Sequence, residues 1–113
     1  MVNLAVDESF AFDFLSILQI KYENLGEEHE SALRKCYIGL FNQLKDRFDT
    51  IISSPEYQDV YEANQETFDV VESARYGGNV TAKEVDDCNM KRFYAKQRLQ
   101  EKFFKTKLTE KKS

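Results

Sequence analysis

The chain contains few of the residues that break secondary structure. Its 113 residues include only 4 glycines and 1 proline, so turns must be few and regular elements long. Charged residues interrupt every apolar stretch, and the opening residues lack the basic and apolar regions of a signal peptide. These absences exclude a loop-rich fold, and they predict no membrane contact and a cytoplasmic location.

Cysteine and histidine are also scarce. Cys36 and Cys88 show neither CxxC nor Cys/His spacing, which favours reduced thiols in a core over a disulfide or a metal site. The single histidine, His29, lies in an acidic segment, and no serine or cysteine nucleophile has a visible partner. The sequence therefore predicts no catalytic residue and no cofactor.

What the chain does contain is the pattern of amphipathic helices. Hydrophobic residues make up 42% of it and charged residues 32%, and the apolar positions recur at offsets of three and four. A serine before Pro55 and a Thr81–Glu84 capping box indicate helix starts, while Gly26 and Gly77 indicate helix ends. The prediction is one all-α domain with helices over about 8–24, 27–52, 55–76 and 81–107, followed by a frayed tail.

Short linkers predict that these four helices pair as two antiparallel hairpins. Heptad-like spacing and the length of the second helix, about 39 Å at 1.5 Å per residue, indicate an elongated, coiled-coil-like bundle. The first hairpin reads as an ordinary apolar one. The second hairpin carries a polar seam, whose members are Asn64, Asp69, Glu72, Arg75, Asn89, Arg92 and Lys96.

Two interpretations of the polar seam stay open. Burying such groups costs free energy unless they pair with one another. In one interpretation they pair and fix the register of the hairpin, as a polar residue does in a coiled coil. In the other, Arg75, Arg92 and Lys96 bind a phosphate or a carboxylate.

Charge is distributed unevenly along the chain. Residues 1–90 carry 7 basic and 18 acidic side chains, a net −11, whereas residues 91–113 carry 9 basic and 2 acidic ones, a net +7. A basic last helix suits the helix macrodipole and acidic neighbours. Binding of nucleic acid or another anion through that helix is the alternative, although the acidic body would repel phosphates.

Three motifs occur in order along the chain. The stretch SFAFDFLSILQIK (9–21) is similar to GE-x-x-D-K-[LI]-[ST]-I-L-x-I-K, with matches at Asp13, Leu15, Ser16, Ile17, Leu18, Ile20 and Lys21. N-x-x-x-[WF]-D-I-E-D-x-I-R is matched by Asn64, Phe68, Asp69 and Arg75, with Glu72 as the acidic residue in place of Asp. N-D-x-R-A-x-x-K is matched by Asn89, Arg92 and Lys96, while Met90 and Phe93 depart from it. In these motifs the chain resembles a family of short helical proteins of bacteria and their phages. That family has no known function, so the resemblance implies architecture and emphasises the polar seam.

A second resemblance points to an enzyme. Glu66 and Asp69 form an ExxD, Glu27 and Glu30 an ExxE, and Asn89-Met90-Lys91 an N-x-K, similar to the MazG-like all-α nucleotide pyrophosphohydrolases. This resemblance implies that the four carboxylates hold Mg²⁺ and that a nucleoside triphosphate is the substrate. The interval between the two acidic motifs is longer here than in that family.

The leading prediction is a non-enzymatic helical interaction protein. Broad apolar faces on slender helices need more cover than four helices side by side supply. The partner is therefore expected to be a second copy of the chain, giving a homo-oligomer, or another helical protein. A Mg²⁺-dependent pyrophosphohydrolase and an anion or nucleic-acid binder are the alternatives.

Overall fold

The computed structural model describes residues 8–104, and within that range it contains five α-helices and no strand. The helices are α1 (Glu8–Leu25), α2 (Glu30–Leu44), α3 (Asp46–Ile52), α4 (Pro55–Arg75) and α5 (Ala82–Phe104), and a 3₁₀ turn (Glu27–His29) precedes α2. The all-α prediction is confirmed. The end of the predicted fourth helix, residues 105–107, and the predicted frayed tail lie outside the described residues.

The second predicted helix is divided, so the prediction of four helices is wrong. Lys45 separates α2 from α3 with φ 54° and ψ −124°, and its N–H donates to the carbonyl oxygen of Phe41 at 2.8 Å. After this bend, α3 directs the side chains of Phe48 and Ile51 into the core, where both are fully buried. The apolar periodicity continues across Lys45, and no glycine or proline marks the break.

The predicted helix starts after the two main linkers are confirmed. The Ser54 hydroxyl oxygen accepts a hydrogen bond from the Tyr57 N–H at 3.1 Å, and Pro55 occupies the first turn of α4. Thr81 Oγ1 accepts from the Glu84 N–H at 3.1 Å in the same way. These caps satisfy backbone donors that have no partner within the helix.

Phe12 lies at the centre of the core and is in contact with an aromatic ring from each of three other helices. Its ring centroid lies 6.1 Å from that of Phe48, 6.2 Å from Tyr57 and 6.3 Å from Phe104. Such ring pairs add to the free energy gained by apolar burial. The other large buried side chains of this cluster are Leu15, Leu40, Ile51, Val60 and Leu99.

The break at Lys45 also shortens the molecule. A helix of 15 residues such as α2 spans about 22 Å, and the principal axes measure 43 × 33 × 33 Å. Among residues 8–104, no helix combines the length and the apolar composition needed to cross a bilayer.

Candidate functional site

A buried polar cluster connects the three long helices, and we call it the polar junction (Asp13, Ser16, Asn64, Arg92). The Asn64 amide nitrogen donates to Asp13 Oδ1 and to Ser16 Oγ, both at 2.7 Å. An Arg92 guanidinium nitrogen lies 3.4 Å from Asp13 Oδ2. Asp13 is only 7% exposed and Asn64 only 4%, so these groups depend on one another for hydrogen bonds.

The spacing of polar residues on α1 creates this junction. Ser9, Asp13 and Ser16 follow one another at offsets of four and three, which places them on one side of the helix. The Ser16 hydroxyl donates to the Asp13 carbonyl oxygen at 2.7 Å, so its own oxygen is available to Asn64. The Asp13 carboxylate thus receives both a charged and a neutral donor, which compensates its burial.

A second buried contact ties the start of α1 to the far end of α5. Gln100 is fully buried, and its amide oxygen accepts the Ser9 N–H at 2.9 Å. The Gln100 amide nitrogen donates to Glu8 Oε1, also at 2.9 Å. The side chain therefore satisfies one of the first-turn N–H groups that a helix leaves without a partner.

The predicted polar seam is divided among several places. Only Asn64 and Arg92 meet in the polar junction, while the buried Lys96 has its ammonium 4.4 Å from the centroid of the Phe10 ring. Near the far end of α4, Arg75 pairs with Glu72 at 3.7 Å. The remaining two members lie on the outside: Asp69 accepts from the Gln65 amide at 3.0 Å, and Asn89 is exposed.

The interpretation of the first hairpin as an ordinary apolar one did not foresee that α1 supplies the central carboxylate of the polar junction. Asp13 was not among the predicted seam residues. Its signal is present in the sequence: three polar residues, Ser9, Asp13 and Ser16, recur at helical spacing within the mostly apolar first half of α1. Such a stripe predicts a partner stripe on the neighbouring helices.

The four carboxylates of the MazG-like resemblance do not gather. Glu30 pairs with Arg34 at 2.6 Å, and Glu27 lies in the 3₁₀ turn. Glu66 accepts two hydrogen bonds from the Lys91 ammonium, at 2.9 and 3.0 Å, which raise the pKa of that ammonium. In the described part of the chain, no group of three or more acidic, histidine or cysteine side chains is placed to hold a metal ion.

An acidic groove of about 850 Å³ runs along the surface where α4 packs against α5. Small side chains line it, including Ala63, Cys88 and Ala95. Two ion pairs join its walls, Glu66 with Lys91 at 2.9 Å and Asp59 with Arg98 at 3.8 Å. Five carboxylates and only two cations line the groove, so its electrostatic potential opposes an anionic partner.

Helix α2 leaves one side largely uncovered. Leu40, at 9% exposed, is its only buried residue, although the helix contains several large apolar side chains. Tyr37, Ile38 and Phe41 are each 40–50% exposed. At 3.6 residues per turn they share one side with three charged residues, and we call this surface the α2 face (Glu30, Arg34, Tyr37, Ile38, Phe41, Lys45).

No known protein family, no curated protein and no solved structure matches this chain. The resemblances to the phage and bacterial family and to the MazG-like enzymes therefore stay predictions.

Proposed function

We propose that this chain is a non-enzymatic helical interaction protein that pairs with a second copy of itself through the α2 face. The observation that carries the proposal is the self-complementary order of that face. From one end to the other it presents a carboxylate, a guanidinium, two apolar side chains, an aromatic ring and an ammonium (Glu30, Arg34, Tyr37, Ile38, Phe41 and Lys45).

An antiparallel pairing of two α2 helices matches every one of these groups. In one register, Glu30 lies opposite Lys45 of the second copy and Tyr37 lies opposite Ile38. The same register places the Arg34 guanidinium opposite the Phe41 ring, a favourable cation–π arrangement. A two-fold axis repeats each contact, as an isologous interface requires.

The burial of the α2 residues supports this use of the face. Leu33, Cys36, Leu40 and Leu44 pack towards the core. Tyr37 and Phe41 each place one ring edge or face on Phe48, yet they keep 40% or more of their surface exposed and available to a partner. Exposed apolar groups of this size on a helix mark an interaction surface. A single helix face makes a small interface, and interfaces below about 1,200 Å² are typical of weak, transient pairs, so we expect a micromolar Kd.

The arrangement of helices as two antiparallel hairpins belongs to the same proposal. The ion pairs Asp59–Arg98 and Glu66–Lys91 support it for the second hairpin, because residue numbers rise on α4 as they fall on α5. The cytoplasmic location is supported by the two free thiols, Cys36 and Cys88, which suit a reducing compartment.

Sedimentation equilibrium tests the proposal. The unmodified chain is expected to form dimers as its concentration rises through the micromolar range. Ile38→Glu is expected to stay monomeric, because dimerisation would bury its charge at the centre of the interface. Val85→Glu is the matched control, since Val85 is 44% exposed on α5, away from the α2 face. A strict monomer at high micromolar concentration, or equal dimerisation by Ile38→Glu, would refute self-pairing.

A further inference from the structure

A small cleft lies between α1 and α4, beside Arg92 of α5, and has a volume of about 180 Å³. We call it the α1–α4 cleft. Its walls are mostly apolar, formed by Ile17, Ile20, Phe68 and Val71. Val71 is 52% exposed at its rim, so the cleft is open to solvent on one side.

The charge of the α1–α4 cleft is opposite to that of the whole chain. Lys21 and Arg92 line it, and no carboxylate does, although the chain carries a net charge of −4. In the acidic groove between α4 and α5, by contrast, carboxylates outnumber cations. A mostly apolar cleft with two cations favours a ligand that has an apolar body and a negative end.

Arg92 has hydrogen-bonding capacity that the protein does not use. Its contact with Asp13, at 3.4 Å, is long for a pair of charged groups, which usually meet at about 2.7–2.9 Å. Its Nε is buried and has no hydrogen-bond partner among the described residues. A guanidinium has five N–H donors, and buried donors normally find acceptors. The Arg92 side chain lines the cleft and is about a quarter exposed, so its guanidinium can donate hydrogen bonds to a further anionic partner.

We propose that the α1–α4 cleft binds a small carboxylic acid. Its apolar chain lies against Ile17, Phe68 and Val71, and its carboxylate lies at Arg92 and Lys21. The volume of about 180 Å³ is below the roughly 300 Å³ at which drug-sized sites begin. The ligand is therefore a short-chain acid, and its Kd is expected to be about millimolar.

Titration of the isotope-labelled chain with 4-methylpentanoate, followed by NMR, tests this inference. We expect saturable shifts of the backbone signals of Ile17, Phe68 and Val71 at ligand concentrations up to about 10 mM. 4-Methylpentanamide has the same shape without the charge, and it is expected to bind at least about tenfold more weakly because the ion pairs are lost.

Three variants test whether the ligand binds in the α1–α4 cleft. Val71→Asp puts a carboxylate at the rim and is expected to abolish binding, whereas Val85→Asp, at an exposed valine of α5 outside the cleft, leaves it unchanged. Lys21→Gln is expected to weaken binding by up to about fivefold, the usual range for an exposed ion pair. None of the three alters the polar junction, so each is expected to fold.

A peptide that ends in leucine presents the same chemistry as a free acid. N-acetyl-leucine serves as its probe: tighter binding than 4-methylpentanoate assigns the cleft to a peptide end, and weaker binding assigns it to free acids. The proposal is overturned if no saturable shift occurs, if the amide binds as well as the acid, or if Val71→Asp binds normally. Dimerisation through the α2 face is measured separately and does not depend on these results.

Discussion

Asp13 is the residue on which the contacts between α1, α4 and α5 converge. Its carboxylate accepts from Asn64 at 2.7 Å and faces Arg92 at 3.4 Å. In Asp13→Ala, the buried Asn64 amide loses one of its two acceptors and the partly buried Arg92 loses its carboxylate, so we expect the free energy of unfolding to fall by about 2–3 kcal/mol. Urea denaturation at pH 7 measures the change.

Asp69→Ala is the matched control for Asp13. Asp69 is an exposed carboxylate of α4 whose hydrogen bond joins it to Gln65 on the same helix, and its loss should change stability by no more than about 0.5 kcal/mol. If Asp13→Ala were no more damaging than Asp69→Ala, the polar junction would contribute nothing to the fold.

Because of Tyr61, the free energy of unfolding is expected to change with pH in the alkaline range. The hydrogen bond that its hydroxyl donates to Glu23 raises the pKa of Tyr61 to about 12, above the usual value of about 10 for tyrosine. The folded state therefore holds this proton more tightly than the unfolded state does. The resulting stability is fully present below pH 10 and is lost as the pH rises through 12.

The variant Tyr61→Phe isolates this effect. We expect the difference in unfolding free energy between the original chain and the variant to be constant below pH 10 and to shrink between pH 10 and 12. Burial raises the pKa of Tyr57 as well. Because Tyr57 is present in both proteins, the effect of its burial on the unfolding free energy drops out of the difference. A difference that does not change with pH would mean that the bond to Glu23 is not formed in solution.

The candidate site was only partly predictable from sequence. Asn64 and Arg92 could be predicted as site residues because each is a polar residue at a position where the helical repeat of its helix calls for an apolar one. Their partner Asp13 was missed, since an apolar helix with a few polar positions reads as core-forming until the residues opposite are known. Periodicity gives the side of a helix on which a residue lies, but it does not give the residue that it meets.

At the scale of elements, the helix bounds beside capping residues were predictable and the break at Lys45 was not. Ser54, Pro55 and Thr81 fix the starts of α4 and α5 through local hydrogen bonds that a sequence displays. The break follows from packing, because it lets Phe48 and Ile51 reach the ring of Phe12 and the core around it. No local residue preference encodes such a contact.

The backbone at Lys45 is strained, and a glycine there should relieve the strain. Its φ of 54° is unfavourable for a residue with a Cβ, at a cost of about 1–2 kcal/mol. Glycine removes that cost but adds freedom to the unfolded chain. We expect Lys45→Gly to raise the free energy of unfolding by about 0.5–1 kcal/mol, measured by urea denaturation at low protein concentration.

Gln43→Gly provides the comparison for Lys45→Gly. Gln43 is exposed within α2, where glycine should lower stability by about 1 kcal/mol. The two substitutions, two residues apart, are thus expected to act in opposite directions. A loss of stability in both would show that α2 continues through Lys45 in solution.

At the scale of the whole molecule, the fold explains which surfaces remain for interaction. Phe12 and the polar junction hold α1 against α4 and α5 on one side, while α2 contributes a single buried residue, Leu40. The least covered helix is therefore the one whose outward face is self-complementary. The acidic groove between α4 and α5 repels anions, which leaves the α1–α4 cleft as the site for a negative ligand.

The proposed register of the dimer can be tested by exchanging its charges. Glu30→Lys places two lysines opposite each other in each of the two symmetric contacts, and Lys45→Glu places two glutamates there. Each variant alone should dimerise about tenfold more weakly than the original chain. Exposed ion pairs contribute about 0.2–1 kcal/mol each, and in each of the two symmetric contacts a repulsion takes the place of an attraction.

An equimolar mixture of the two variants restores a lysine opposite a glutamate in both contacts, so sedimentation equilibrium should show a heterodimer as tight as the original dimer. Failure of the mixture to recover would reject this antiparallel register. Recovery cannot come from effects within one chain, such as loss of the ion pair between Glu30 and Arg34, because mixing leaves each chain unchanged.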